Sequence, residues 1–242
     1  MAAGPRRRGP PRREEKVPFN VDAWTPKTEL GRKVKAKEIV SVEEIFEQGK
    51  PILEYEIIEA LLPNLTDNLL EITTTQRMTD CGRKITYRAI SLVGDGNGHI
   101  GIGVGKAAEA KPAIEQAIKY AKRNVLKIPL GCGSWECGCN TRHSVPITVK
   151  GSYGSVKVTI KPAPRGLGIA ASGIVKQVLK AAGINDAWTF TTGKTSSIYN
   201  TAMATLDSLD SLNRMKVKGD WETRNVAAAP KAEEAAPSSL AS

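Results

Sequence analysis

The chain has 242 residues, with 35 Lys and Arg against 25 Asp and Glu and a formal net charge of +10. That length holds one or two cored domains, and the charge suits a polyanionic partner, with a merely basic soluble protein as the bland competitor. No stretch nears the roughly 20 continuous apolar residues of a membrane span, and the early arginines lead into prolines rather than a signal-peptide core, which leaves the cytoplasm as default.

Residues 1–38 read as a basic arm. Arg6, Arg7, Arg8, Arg12 and Arg13 stand among Pro5, Pro10 and Pro11 with nothing apolar to bury. Such a segment is expected to be disordered alone and either to order along phosphates or to serve only as a solubilising tail. A helical extension is expected over 39–66. Ser41 and Glu44 make a capping-box pattern for one short helix, and Ile57, Ile58, Leu61 and Leu62 stripe a second that Pro63 ends.

A three-strand, one-helix unit of RNA-binding size is expected over 67–128. In NLLEITTTQ, Leu70, Ile72 and Thr74 alternate with Glu71, Thr73 and Thr75. RMTDCGRK is a charged turn, whose Arg77, Arg83 and Lys84 either meet phosphates or sit as solvated charge. KITYRAISLV then puts Ile85, Tyr87, Ala89, Ser91 and Val93 on one face, with Arg88, Ile90 and Leu92 on the other. GDGNG supplies a hairpin turn. The return strand HIGIGVGK sets Ile100, Ile102 and Val104 against bare Gly101, Gly103 and Gly105, which leave room for something bulky. Packed RNA suits that face, with Lys106, Lys122 and Arg123 nearby, although close packing inside the domain also uses bareness. From Pro112, the residues Ile114, Ala117, Ile118, Ala121 and Val125 have helical spacing.

A Cys-rich loop occupies 129–144. Its Cys132, Cys137, Cys139 and His143 are spaced C-x4-C-x-C-x3-H, four soft ligands within twelve residues. Zinc takes three thiolates and one imidazole tetrahedrally, and four filled positions make a structural site; free thiols or a disulfide are the alternatives. A second unit is expected over 145–215. It holds alternating Val145, Ile147 and Val149, alternating Val156, Val158 and Ile160, a hairpin through Gly151 to Gly154, the glycine-rich loop PAPRGLG, and helices over GIVKQVLKAAGI and SSIYNTAMATLDSLDSLNRM. The Ala-, Pro- and Glu-rich tail over 216–242 is expected to be disordered.

Enzymatic constellations are absent. A P-loop ending at Gly105-Lys106 needs Gly at position 100 and a hydroxyl at 107, where the chain has Ile100 and Ala107. The GxGxxG match from Gly96 to Gly101 leads into a strand instead of opening a helix. Two histidines leave little for a catalytic triad. Aromatic content of only 5% supplies base stacking poorly, so binding should rest on phosphates, sugars and folded RNA shape.

GRKITYRAISLVGDGNGHIGIGVGKAAEAKPAIEQAIKYAKRN and KPAPRGLGIAASGIVKQVLKAAGI resemble the two conserved blocks of the universal small-subunit ribosomal protein family five, over roughly residues 70–215. The extended N-terminus and the Cys-rich insert resemble its archaeal and eukaryotic branch, the archaeal more closely. The resemblance implies an α+β fold, with a double-stranded-RNA-binding-like β-β-β-α domain followed by a second α+β domain containing a left-handed βαβ crossover. It implies a non-enzymatic place in the small ribosomal subunit, on its rRNA near where mRNA enters and behind the decoding region, supporting accurate translation. It implies protein neighbours of families four and eight. Carried over by position, it gives Arg77, Arg83 and Lys84 an rRNA-contacting role and Arg165, Gly166 and Gly168 an interface with the family-four neighbour. The zinc reading is not inherited from it. The competing class, a nucleotide-dependent enzyme, rests on a likeness of the family's second domain to a domain of some kinases and ATPases.

Overall fold

Residues 24–139 and 141–215 are described in the computed structural model, and the chain divides into two units at Pro63/Asn64. The arginine-rich segment before Trp24 and the tail after Met215 lie outside the described residues.

In the first unit, Thr28 caps helix α1 (Glu29–Lys35). Its hydroxyl accepts from Gly31 N–H at 3.1 Å, while Glu54 Oε1 accepts from the N–H groups of Lys27 and Thr28 at 2.8 and 2.6 Å. Leu30 and Val34, four residues apart, are buried, as is Trp24. The expected basic arm is therefore corrected: a helix forms within it, because the charge run hides an apolar i, i+4 pair. Ser41 precedes α2 (Val42–Glu47), but its Oγ donates to Glu44 Oε1 at 2.8 Å and accepts from no helix N–H, so the reciprocal capping box is not made. Helix α3 (Glu56–Leu61) buries Ile57 and Ile58 and stops before Pro63.

The second unit opens with an antiparallel sheet in the order β1-β2-β3-β4. Its strands are β1 (Thr66–Thr79), β2 (Gly82–Gly94), β3 (His99–Ala107) and β4 (Val125–Lys127). A bulge lies in β1, since Leu69 faces Ser91 while Glu71 faces Ile90. The extra residue shifts the alternation, so Ile72 is 40% exposed instead of lying with Leu70 on a core face. Helix α4 (Ala110–Arg123) starts two residues before Pro112 and ends before Val125, which belongs to the short, unexpected β4.

The bare glycine face is filled by α4. A methyl group added at Gly101 meets Ala121 O, one at Gly103 meets Ala117 O and Ala121 N, and one at Gly105 meets Ala113 O. Every fourth residue of a helix rises about 6 Å and every second residue of a strand about 6.8 Å, so the Ala113, Ala117 and Ala121 stripe matches the glycines step for step. RNA does not approach this face; the expectation is corrected in favour of backbone-to-backbone packing. Gly103→Ala is accordingly expected to destabilise by about 1–3 kcal/mol, read from a urea midpoint. Gly173→Ala, whose methyl meets nothing within 4 Å, is expected to be neutral or slightly stabilising.

The other face of this sheet joins a second one. Strands β5 (Val149–Tyr153), β6 (Val156–Pro162), β7 (Ile169–Ala170) and β8 (Ala187–Thr192) lie in the order β5-β6-β8-β7. Helix α5 (Gly173–Ala181) forms the crossover between parallel β7 and β8, and α6 (Ile198–Asn213) follows. Gly151 lies inside β5, where α6 backbone approaches it, and the tight turn is at Gly154, φ +60°. Val145 and Ile147 precede β5 instead of extending it.

Ile90, Leu92, Ile100 and Ile102 share one apolar cluster with Val158, Ile160, Val178, Leu179, Leu209 and Leu212. Two α+β halves thus form one body over a common core. The GDGNG turn is locked into it: Gly96 N–H and Gly98 N–H donate to Ala181 O and Ala182 O at 3.1 and 3.0 Å. Asp95 is a turn residue, its Oδ1 accepting from Asn97 and His99 N–H at 2.7 and 3.1 Å and its Oδ2 lying 2.6 Å from His99 Nδ1. Burial pushes the Asp95 carboxyl up, but these hydrogen bonds outweigh it and hold the group below the usual carboxylate range.

Candidate metal centre and nucleic-acid interface

The Cys-rich loop is closed at its base before it is closed at its tip. Gly131 and Ser144 exchange backbone hydrogen bonds at 3.0 and 2.9 Å, and Gly133 N–H donates to Val145 O at 3.2 Å. His143 O accepts from the N–H groups of Asn185 and Asp186 at 2.9 and 3.0 Å, pinning the loop end to the two residues just ahead of β8. Within this frame the ligand atoms of Cys132, Cys137, Cys139 and His143 all lie within 4.8 Å of one another. Cys139 Sγ is 2.9 Å from Cys137 Sγ and 3.2 Å from His143 Nε2, and Cys137 Sγ is 3.8 Å from that nitrogen. The cysteines are free thiols. Sulfurs on one tetrahedral ion stand about 3.8 Å apart, given metal–sulfur bonds of about 2.3 Å, so this Cys3His set fits a metal.

The electrostatics of the cluster follow from its crowding. Hydrogen bonds from the Cys137 thiol and from the Thr141 hydroxyl and N–H hold the Cys139 thiol down at about 5. Cys132 is pushed up to about 11, first by burial and then by its thiol neighbours, against a backbone hydrogen bond from Ser134. The Cys139 thiolate is thus favoured and the Cys132 thiolate resisted, and a bound cation would favour both. His143, 7% exposed, turns its Nδ1 toward Asp186 Oδ2 at 2.8 Å. A carboxylate accepts and does not donate, so Nδ1 carries a proton, and in the neutral imidazole that tautomer leaves the Nε2 lone pair facing the sulfurs.

A second feature stands out from the first sheet. β2 pairs with β3 only from Tyr87 onward, yet it pairs with β1 back to Gly82. The five pairs from Thr75↔Thr86 to Thr79↔Gly82 form a two-stranded ribbon with no third strand, roughly 15 Å long at strand rise. Arg77 and Lys84 are cross-strand partners, Arg83 faces Met78, and all three cations are exposed, as is Met78 at 75%. Strand parity places Lys84 and Arg77 on the sheet face that carries Arg88 and Lys106, themselves directly opposed. Arg83 lies on the opposite face.

Two family models match the chain: ribosomal protein S5, N-terminal domain, over residues 65–129, and ribosomal protein S5, C-terminal domain, over residues 151–224. The chain belongs to the ribosomal protein S5 family. It is similar to small ribosomal subunit protein uS5 of Methanococcus maripaludis, at 50% identity over 202 residues covering 84% of this chain and 88% of the relative. It is also similar to the uS5 proteins of Methanocaldococcus jannaschii (49% identity; 81% of this chain, 90% of the relative) and Aeropyrum pernix (47%; 84% and 93%). All three are archaeal, in line with the branch resembled.

Within this S5-family chain the candidate cations do not form one patch. Lys106 lies beside Gly105 at the Ala113 end of α4, whereas Lys122 and Arg123 lie past Ala121, about 12 Å along the helix. Arg123 stacks over the Tyr120 ring, with its guanidinium 5.4 Å from the centroid. Arg165 and Gly166 are exposed, Gly168 is half-buried, and both glycines hold positive φ, +91° and +77°. Two residues were missed from sequence. Arg88, stacked 5.3 Å over Tyr199, joins the basic face through strand parity, a signal present in the alternation. Asp186 stands 43 positions from His143 and leaves no local spacing to read.

Proposed function

We propose that the chain is a structural, non-enzymatic constituent of the small ribosomal subunit, bound to its rRNA and residing with it in the cytoplasm. Membership of the ribosomal protein S5 family supports this reading, and no described helix is long and apolar enough to cross a membrane. The observation that carries the rRNA contact is the β1–β2 ribbon. It extends past the third strand, exposes Arg77, Arg83 and Lys84 at its end, and carries Asp80 as its one acid. A two-stranded ribbon is marginal alone, so contact with phosphates would fix it. Lys106 extends the same face, and Lys122 and Arg123 offer a separate contact at the end of α4. In finer detail, the chain lies near where mRNA enters, behind the decoding region, with Arg165, Gly166 and Gly168 against a family-four neighbour and a family-eight protein also in contact. The Cys132, Cys137, Cys139 and His143 centre takes zinc as a structural ion, which ties the loop shut and supplies no catalysis.

Co-sedimentation with small subunits lacking this protein tests the reading. Binding is expected at low salt, with log K falling linearly in log salt as counterions are released from phosphates. Nucleotide turnover by the purified chain, with no salt-dependent association, would contradict it.

A further inference from the structure

Asp186 is a buried carboxylate with two separate clients. Its Oδ2 accepts from His143 Nδ1–H at 2.8 Å, and its Oδ1 accepts from Gly168 N–H at 2.7 Å and Gly166 N–H at 3.2 Å. Asp186 is 4% exposed and His143 7%, so water competes weakly for these bonds. The Pro164–Gly168 loop has few other backbone ties: Leu167 N–H donates to Pro164 O at 3.4 Å, while Ala187 N–H donates to Gly168 O and Ala163 N–H to Ser144 Oγ, each at 3.2 Å. Its tip displays Arg165 and Leu167, the latter 45% exposed. Gly166 and Gly168 hold left-handed backbone that their N–H bonds to Asp186 stabilise.

We infer that Asp186 couples the metal centre to the Pro164–Gly168 loop, so that metal loading sets the order of the surface carrying Arg165 and Leu167. This rests on the metal reading of the Cys3His centre. With the imidazole fixed by a metal at Nε2, Nδ1–H holds the carboxylate, and the carboxylate holds the two glycine amides. Without the metal, His143 loses its anchor on one side, and the coupling passes to the loop through the shared carboxylate. The interface surface and the metal loop thus act as one element, although they lie more than twenty residues apart in the chain.

Hydrogen exchange on the full chain, with zinc content measured on the same sample, tests the coupling. Removing zinc is expected to speed exchange of the Gly166 and Gly168 amides about tenfold or more, while the Gly96 and Gly98 amides, bonded to Ala181 and Ala182, stay protected. In Asp186→Asn the carbonyl oxygen still accepts from the glycines, but the amide replaces the oxygen facing Nδ1. Zinc affinity is expected to fall about 10- to 100-fold, with glycine exchange no longer responding to zinc. Zinc present, with glycine exchange unchanged on its removal, would overturn the coupling alone. Acceleration of all four amides together would also overturn it, as global unfolding. No zinc uptake would overturn the metal reading and the coupling with it.

Discussion

Stripping the metal with a chelator is expected to release a single zinc ion per chain and to unfold the segment from Gly131 to Ser144. The loop has little apolar interior: Trp135 is 91% exposed, the three cysteines are half-buried, and His143 is the one ligand taken fully inside. Its base is held by the Gly131–Ser144 bridge and its end by the bonds to His143 O, and between them the four ligand side chains converge on one another, with His143 backed by Asp186. Structural zinc contributes about 10–16 kcal/mol of apparent binding free energy in small peptides at neutral pH, far more than such a loop gains from its few hydrogen bonds. Cys137→Ser removes one thiolate from the centre of the set and is expected to abolish stoichiometric zinc. Metal analysis with thiol-reactivity kinetics reads both. Three thiols that react freely in a folded, metal-free chain would contradict the assignment.

Reversing Arg77 and Lys84 together, as Arg77→Glu with Lys84→Glu, is expected to weaken binding to small-subunit rRNA about 100-fold or more and to lower the slope of log K against log salt by about 2. The two side chains are exposed cross-strand partners, so two like charges replace two like charges and the ribbon's pairing is unchanged. Folding stability is therefore expected to hold while affinity falls. Arg83→Glu, on the opposite ribbon face beside Met78, is expected to cost less. Filter binding across a salt series separates these outcomes.

Much of the fold was legible because its signals are local. The alternation in β2 and β3, the helical stripes of α4 and α5, and the GDGNG turn each fix their element within a dozen residues. The Cys3His spacing was legible for the same reason. What escaped was either masked or distant. Charge masked Leu30 and Val34 in α1, and a single bulge residue reversed the faces of β1 beyond Leu70. β4 is three residues long, too short for any period. The use of Gly101, Gly103 and Gly105 was legible as one of two alternatives, RNA or close packing, and the Ala113, Ala117 and Ala121 stripe is the local feature that favours packing. Asp186 was beyond reach, because only the tertiary fold brings it to His143.

In the assembled small subunit the β1–β2 ribbon is expected to lie on rRNA. Cys81, exposed at the ribbon tip, is expected to accept a thiol-reactive photo-crosslinker, the other three cysteines being shielded by the proposed zinc. Irradiation of assembled subunits is expected to join Cys81 to small-subunit rRNA, with the yield falling sharply when Arg77 and Lys84 are reversed. Full incorporation of the chain into subunits, with Cys81 crosslinking to solvent or protein alone, would contradict the account.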